Sequence, residues 1–85
     1  MTVPSLASEL VDLITDEIAI DGGPVAADTD LLLGGVVDSL GVVRIVNWME
    51  ERLGVEIDAS DVTLENFQTV AAMVRYAERR RDAAA

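Results

Sequence analysis

The quartet Asp21-Gly22-Gly23-Pro24 sets what this 85-residue chain can fold into. Two glycines cost a helix backbone entropy, and the proline removes a donor and turns the residue before it away from helical geometry, so no helix crosses this point. Before it, Leu6, Leu10, Leu13, Ile14 and Ile18 recur at helical spacing with Glu9, Asp12 and Asp16 largely opposite. That pattern predicts a helix from about Ser5 to Ile20. Thr2 or Ser5 would cap it. After it, residues 21–38 carry four Gly and one Pro and read as one long loop. A loop of that length is uncommon in a compact domain unless it has a function. Leu31-Leu32-Leu33 wants burial, so the loop is expected to be ordered and pinned to the core.

A second helix is predicted from Asp38-Ser39 to Leu53-Gly54, with Leu40, Val43, Val46, Met49 and Leu53 as its buried stripe and Gly54 ending it. Val55-Glu56-Ile57 reads as a short extended stretch. Thr63-Leu64-Glu65-Asn66 reads as one capped turn that sends Phe67 into the core. Thr69 would cap a last helix with Val70, Met73, Val74 and Ala77 on its inner face. That helix is expected to fray over residues 79–85, an Arg/Ala tail. The fold class is therefore all-α: a small antiparallel bundle with a long first loop and a short third helix. It is a single domain over residues 1–85 whose ordered core spans about 5–78. Composition agrees. Apolar residues reach 51%, but eleven are Ala and aromatics are only 4%, so the core must be Leu, Val, Ile and Met, which suits helices better than a β-sandwich.

What is missing narrows the chemistry. There is no Cys, hence no disulfide, thiol nucleophile or thiolate metal site. There is no His, hence no Ser-His-Asp catalysis and no His-ligated metal. There is no Lys, and sixteen acids against six Arg give −10, which argues against nucleic acid and anionic membranes. No apolar run is long enough to span a bilayer. The opening residues lack the basic region of a signal peptide, so a cytoplasmic protein is the default expectation; it is expected to be a monomer. Asp28 and Asp30 lack the spacing of a calcium loop and are better explained by turn chemistry. Residues 75–85 hold four Arg and two acids, which suits the negative end of a helix.

One segment concentrates what chemistry remains, Gly35-Val36-Val37-Asp38-Ser39-Leu40-Gly41. A partly apolar, Gly-bearing loop delivers an Asp-Ser pair to a helix start. Either residue could be a cap, accepting a free backbone N–H. Ser39 could instead be a modification site, because a phosphate on its hydroxyl would sit at the positive end of the helix dipole beside free N–H donors. Use of Ser39 as a nucleophile would need a base, and only carboxylates or an N-terminal amine are available.

With Asp38-Ser39-Leu40 after a Leu- and Gly-bearing loop, followed by an apolar second helix, residues 5–78 resemble the acyl carrier protein family, including aminoacyl and peptidyl carriers. The resemblance implies a four-helix carrier bundle with Ser39 bearing 4′-phosphopantetheine through a phosphodiester. The terminal thiol of that arm would hold an acyl or aminoacyl group as a thioester. The resemblance also implies a phosphopantetheinyl transferase that attaches the arm with help from Asp38, a loading ligase or acyltransferase, and a downstream transferase or synthase. The carrier itself would catalyse nothing.

Two features depart from the fatty-acid carriers. Those usually place one residue between Gly and Asp-Ser-Leu, whereas here Val36 and Val37 intervene. This form, and Glu65-Asn66-Phe67-Gln68-Thr69-Val70, look more like discrete carriers for D-alanine, amino acids or unusual extender units. The implied function is a free-standing carrier in a specialised, natural-product-type pathway. A fatty-acid or polyketide carrier and an unmodified interaction bundle are its competitors. Second, Leu40, Val42, Arg44, Asn47, Trp48 and Glu51 would face partners, and Arg44 stands where a carboxylate is expected. Leu40, Val43, Ile45 and Val46 would border any transient space for cargo. Gly41 either answers to close approach of the arm or a partner, or is simply tolerated near a helix end. Trp48 either packs in the core or serves as a partner contact beside it.

Overall fold

A computed structural model describes residues 5–20 and 25–84 of the chain. Helix α1 spans Leu6–Leu13, and Ser5 caps it by accepting the Ser8 N–H on Oγ at 3.1 Å. The alternative cap, Thr2, and the stop quartet 21–24 lie outside the described residues. The first helix does not stay α-helical to Ile20. It passes into a π-helical turn, Ile14–Ile18, closed by the Ala19 N–H on the Ile14 carbonyl at 2.7 Å. Leu10 and Ile14 are fully buried, and Leu6 and Ile18 pack at the edge of the core.

The described part of the loop is ordered, as expected, but not through all three leucines. Val25, Leu31 and Val37 are buried, Leu32 is half-buried, and Leu33 is 72% exposed. Backbone bonds supply much of the hold. The Leu31 N–H donates to the Gln68 carbonyl at 2.8 Å, Ala71 to Ala27 at 2.9 Å, and Ile20 to Val36 at 3.0 Å. Asp30 accepts the Leu33 N–H (2.9 Å) and the Gln68 side-chain amide (3.0 Å). The Gln68 bond, before the backbone donors, holds the Asp30 carboxyl below its ordinary range. Asp30 is thus a turn and tether residue. Among the described residues no cluster of acids is placed to hold a metal.

Helix α2 spans Ser39–Leu53 and ends at Gly54, whose φ of 67° is the left-handed cap that glycine adopts without strain. Its buried stripe is Gly41, Ile45 and Met49, which corrects the expected one: Leu40 is 70% and Val43 54% exposed, while Val46 and Leu53 are half-buried. Gly41 is where α2 meets the π turn. A Cβ there would stand 2.7 Å from Val37 Cγ1 and 2.8 Å from Ile18 Cγ2. The close approach therefore lies within the protein's own core, not with an arm or a partner. Both obstructing methyls sit on branched Cβ atoms with stiff χ1, so they yield poorly. Gly41→Ala is expected to lower stability by about 1 kcal/mol, because overpacking outweighs the roughly 1 kcal/mol that alanine gains in a helix. A urea midpoint at or above the wild type's would contradict this.

Beyond Gly54 the chain runs extended, and Glu50 accepts the Ile57 N–H at 2.8 Å. A 3₁₀ turn at Ala59–Asp61, absent from the sequence expectation, follows with Asp58 as its cap. Helix α3 is the single turn Leu64–Phe67, capped by Thr63, with Phe67 fully buried. Helix α4 spans Val70–Ala84, and Thr69 caps it by accepting the Ala72 N–H at 3.0 Å. Val70, Met73 and Ala77 are buried as expected, Val74 only half so, and Ala72 and Tyr76 join them. The part of the expected frayed tail that is described, residues 79–84, is helical. The helix continues through residue 84, with Arg79 donating to the Asn66 side chain (3.0 Å) and Arg80 to the Glu56 carbonyl (2.7 Å). Helix α4 packs against α1, α2 and α3, and α2 packs against the π turn. The described residues form helices and turns with no strand, the four-helix all-α class expected. None of these helices is long and apolar enough to cross a membrane.

Among the described residues Tyr76 is the core's one titratable group. Its hydroxyl donates to Asp61 Oδ2 at 2.8 Å, and burial, reinforced by that bond, pushes its pKa up from 10.0 to about 12. A raised folded value means the stabilisation is complete below pH 10 and is lost as pH climbs towards about 12. The urea midpoint is expected to fall across that window, and less so in Tyr76→Phe.

Candidate functional site

The start of α2 is built by a loop with little freedom. Gly35 turns the chain at a φ of 72°, and a Cβ on Gly34 would stand 2.5 Å from the Asp30 carbonyl oxygen. Both positions suit glycine alone. Val37, buried, then anchors the backbone immediately before the Asp-Ser pair, and its N–H donates to the Leu31 carbonyl at 3.0 Å.

The pair divides its work. Asp38 is the cap: Oδ1 accepts the Gly41 N–H at 2.8 Å, and its carbonyl accepts the first helical bond from Val42 at 3.0 Å. Ser39 is the first residue inside the helix and is exposed. Its hydroxyl is not used for capping and faces solvent at the positive end of a 15-residue helix. Leu40 and Val43 stand exposed beside it, one turn of apolar surface. An anionic phosphodiester on Ser39 would meet the positive end of the helix dipole.

The expected partner residues do not all come together. Leu40, Arg44, Asn47 and Glu51 fall at intervals of three and four residues and share the outer face of α2. Val42 does not belong with them. It lies about 200° round the helix from Leu40 and packs, half-buried, against the core. Val43, three residues after Leu40, holds the outer position instead, and that spacing was the signal for it. Of the residues expected to border cargo, Ile45 is fully buried, Val46 is half-buried, and Leu40 and Val43 point outward.

Arg44 does not project freely. Its guanidinium donates to the Glu17 carbonyl at 2.9 Å and lies 3.9 Å from the Glu17 carboxylate. Arg52 ties α2 to α1 through Glu9 at 3.0 Å. Trp48 packs half-buried against the core, and with Leu13, Glu17, Ile18 and Arg44 it lines a groove of about 320 Å³.

Comparison with known proteins agrees with this geometry. A protein-family model described as a phosphopantetheine attachment site matches residues 8–77. An acyl carrier protein of Aster yellows witches'-broom phytoplasma (strain AYWB) is 34% identical over 68 residues, which covers 80% of this chain and 87% of that relative.

Proposed function

The chain belongs to the acyl carrier family of phosphopantetheine-attachment proteins, and from that premise we propose that Ser39 bears the arm and that the protein acts as a tether rather than a catalyst. Family membership implies a covalent 4′-phosphopantetheine, whose terminal thiol supplies the thioester chemistry that a chain without Cys lacks. One observation carries the assignment to Ser39. Asp38 occupies the cap, so Ser39 has no structural duty and keeps its hydroxyl exposed at the helix start. The hydroxyl would attack the phosphorus of coenzyme A, with the nucleotide half leaving, in a step run by a separate transferase. Asp38, exposed beside it, offers that transferase a carboxylate. Tethering raises the effective concentration of cargo at each partner without new contacts. Those partners would be the transferase, a loading ligase or acyltransferase, and a downstream transferase or synthase. Intact mass after incubation with coenzyme A and a broad-specificity transferase tests the reading. A gain of one phosphopantetheine supports it, and no gain on folded protein returns the chain to an unmodified interaction bundle.

The finer reading is a carrier of a specialised biosynthetic pathway. The two residues between Gly35 and Asp38 support it, as does the outer face of α2, where Arg44 stands and is held by Glu17. Charge at an interface sets partner choice and on-rate more than affinity. Malonyl transfer by a fatty-acid malonyltransferase is therefore expected to be at least about tenfold slower than to an ordinary fatty-acid carrier. Equal rates would favour the fatty-acid reading.

A further inference from the structure

The backbone that leads into Ser39 is held from two sides. From the segment after the π turn, the Ile20 N–H donates to the Val36 carbonyl at 3.0 Å. From the end of α3, the Gln68 carbonyl accepts the Leu31 N–H at 2.8 Å, and the Leu31 carbonyl accepts the Val37 N–H at 3.0 Å. Leu31 and Val37 are both buried, so a short, packed relay joins Gln68 to the residue just before Asp38. Gln68 holds the loop a second time. Its side-chain amide donates to Asp30 Oδ2 at 3.0 Å across 38 positions of sequence, while Oδ1 of the same carboxylate accepts the Leu33 N–H at 2.9 Å. Among the described residues this is the one side chain-to-side chain hydrogen bond that joins the loop to the rest of the chain. Bonds to a charged acceptor are the stronger kind.

What this latch adds is direction. Gly34 lies so close over Asp30 that a Cβ there would stand 2.5 Å from the Asp30 carbonyl oxygen. The turn that Asp30 closes therefore also sets where Gly35 and Val36 leave it. A transferase needs the Ser39 hydroxyl in reacting geometry, and a misplacement of about 1 Å is enough to matter. We propose that Gln68 and Asp30 are positioning residues for phosphopantetheine attachment: by latching the loop to the end of α3 they fix where α2 begins, and so where Ser39 meets the transferase. Both act through Leu31 and Val37 rather than on the hydroxyl. This role rests on Ser39 being the attachment site.

Loading from coenzyme A by a broad-specificity transferase, read by intact mass at several carrier concentrations, gives KM and kcat for the folded protein. Gln68→Met keeps the length and removes the donor. Gln68→Glu sets a like charge against Asp30. Released conformers dilute the competent one, which raises the apparent KM and leaves kcat alone. KM is expected to rise about threefold in Gln68→Met and about fivefold in Gln68→Glu, with kcat changing less than about twofold. Asp30→Asn combined with Gln68→Glu exchanges donor and acceptor at unchanged net charge, and should return KM to within about twofold of the wild type. A lowered thermal midpoint with KM unmoved would make the latch merely structural and overturn the proposal. So would a double variant that loads no better than Gln68→Glu. Hydrogen exchange on the unmodified proteins gives a second reading. The Leu33 and Val37 amides should quicken together in Gln68→Glu and recover in the double variant. Quickening of Leu33 alone would mean that the latch stops short of the serine, and would count against the proposal. Wild-type protein that gains no phosphopantetheine would sink the carrier reading and this role with it, whereas loading with an unmoved KM sinks this role alone.

Discussion

Ser39→Ala is expected to abolish the mass gain from coenzyme A while leaving the fold as stable as before. The two halves of that result depend on different atoms. Loading needs the hydroxyl, for which alanine offers no substitute. Stability needs the cap, and the cap is Asp38, whose carboxylate holds the Gly41 N–H at 2.8 Å. Alanine is a slightly better helix former than serine, so the thermal midpoint should stay level or rise by the equivalent of a few tenths of a kcal/mol. Asp38→Ala gives the contrast. It removes the cap and should cost about 1 kcal/mol, or roughly 4–8 °C in a domain of this size. Were Ser39 the true cap, the two variants would exchange behaviour: Ser39→Ala would melt early and Asp38→Ala would not. Calorimetry and intact mass on the same two preparations decide it.

Phe67→Ala is expected to be the most damaging single change to the fold. Phe67 is fully buried and its ring stands 5.7 Å from that of Tyr76, tilted by 50°. Emptying such a site costs about 3–5 kcal/mol. A chain of this length has about 4–13 kcal/mol in total, so at the low end of that range the variant would stand near its unfolding midpoint in water. The loss should spread. Helix α3 is one turn and has no stability of its own without Phe67 holding it down. Gln68, next in the chain, anchors the loop by accepting the Leu31 N–H on its carbonyl and bonding Asp30 through its amide. Urea unfolding should show the full loss, and hydrogen exchange at the Leu31 amide should accelerate with it. A loss below about 2 kcal/mol would mean the cavity collapses at little cost, so that α3 is held by something other than this ring.

Much of this was legible before any coordinates. The helices, the order of the loop, the Thr63 and Thr69 caps and the burial of Phe67 follow from short-range chemistry, in which a cap or a turn involves residues three or four apart. The phase of α2 did not follow, because its buried stripe begins at Gly41. A glycine carries no apolar signal, so Ile45 and Met49 alone could not outweigh Leu40 and Val43, which are apolar for reasons outside the core. Val42 was assigned to the wrong side for the same reason. The persistence of α4 was hidden in bonds from Arg79 and Arg80 to residues 13 and 24 positions earlier, a separation that no local pattern reports. The π turn was equally silent, since one wider turn barely disturbs the spacing of Leu10, Ile14 and Ile18. At Ser39 the local reading left cap and attachment open; Asp38 takes the cap, which supports the attachment proposed for Ser39.

The π turn at Ile14–Ile18 also bears on descent. Its backbone bonds span one residue more than those of an α-helix, so it stores a single extra amino acid without breaking the helix or opening a loop. A carrier lineage could gain or shed that residue in one genetic event and keep both flanking segments in register. Length differences among relatives in this part of the chain are therefore expected as one-residue gaps inside the first helix, not in the long loop after it. Aligners that penalise gaps in helices would misplace them, and with them the acids of α1.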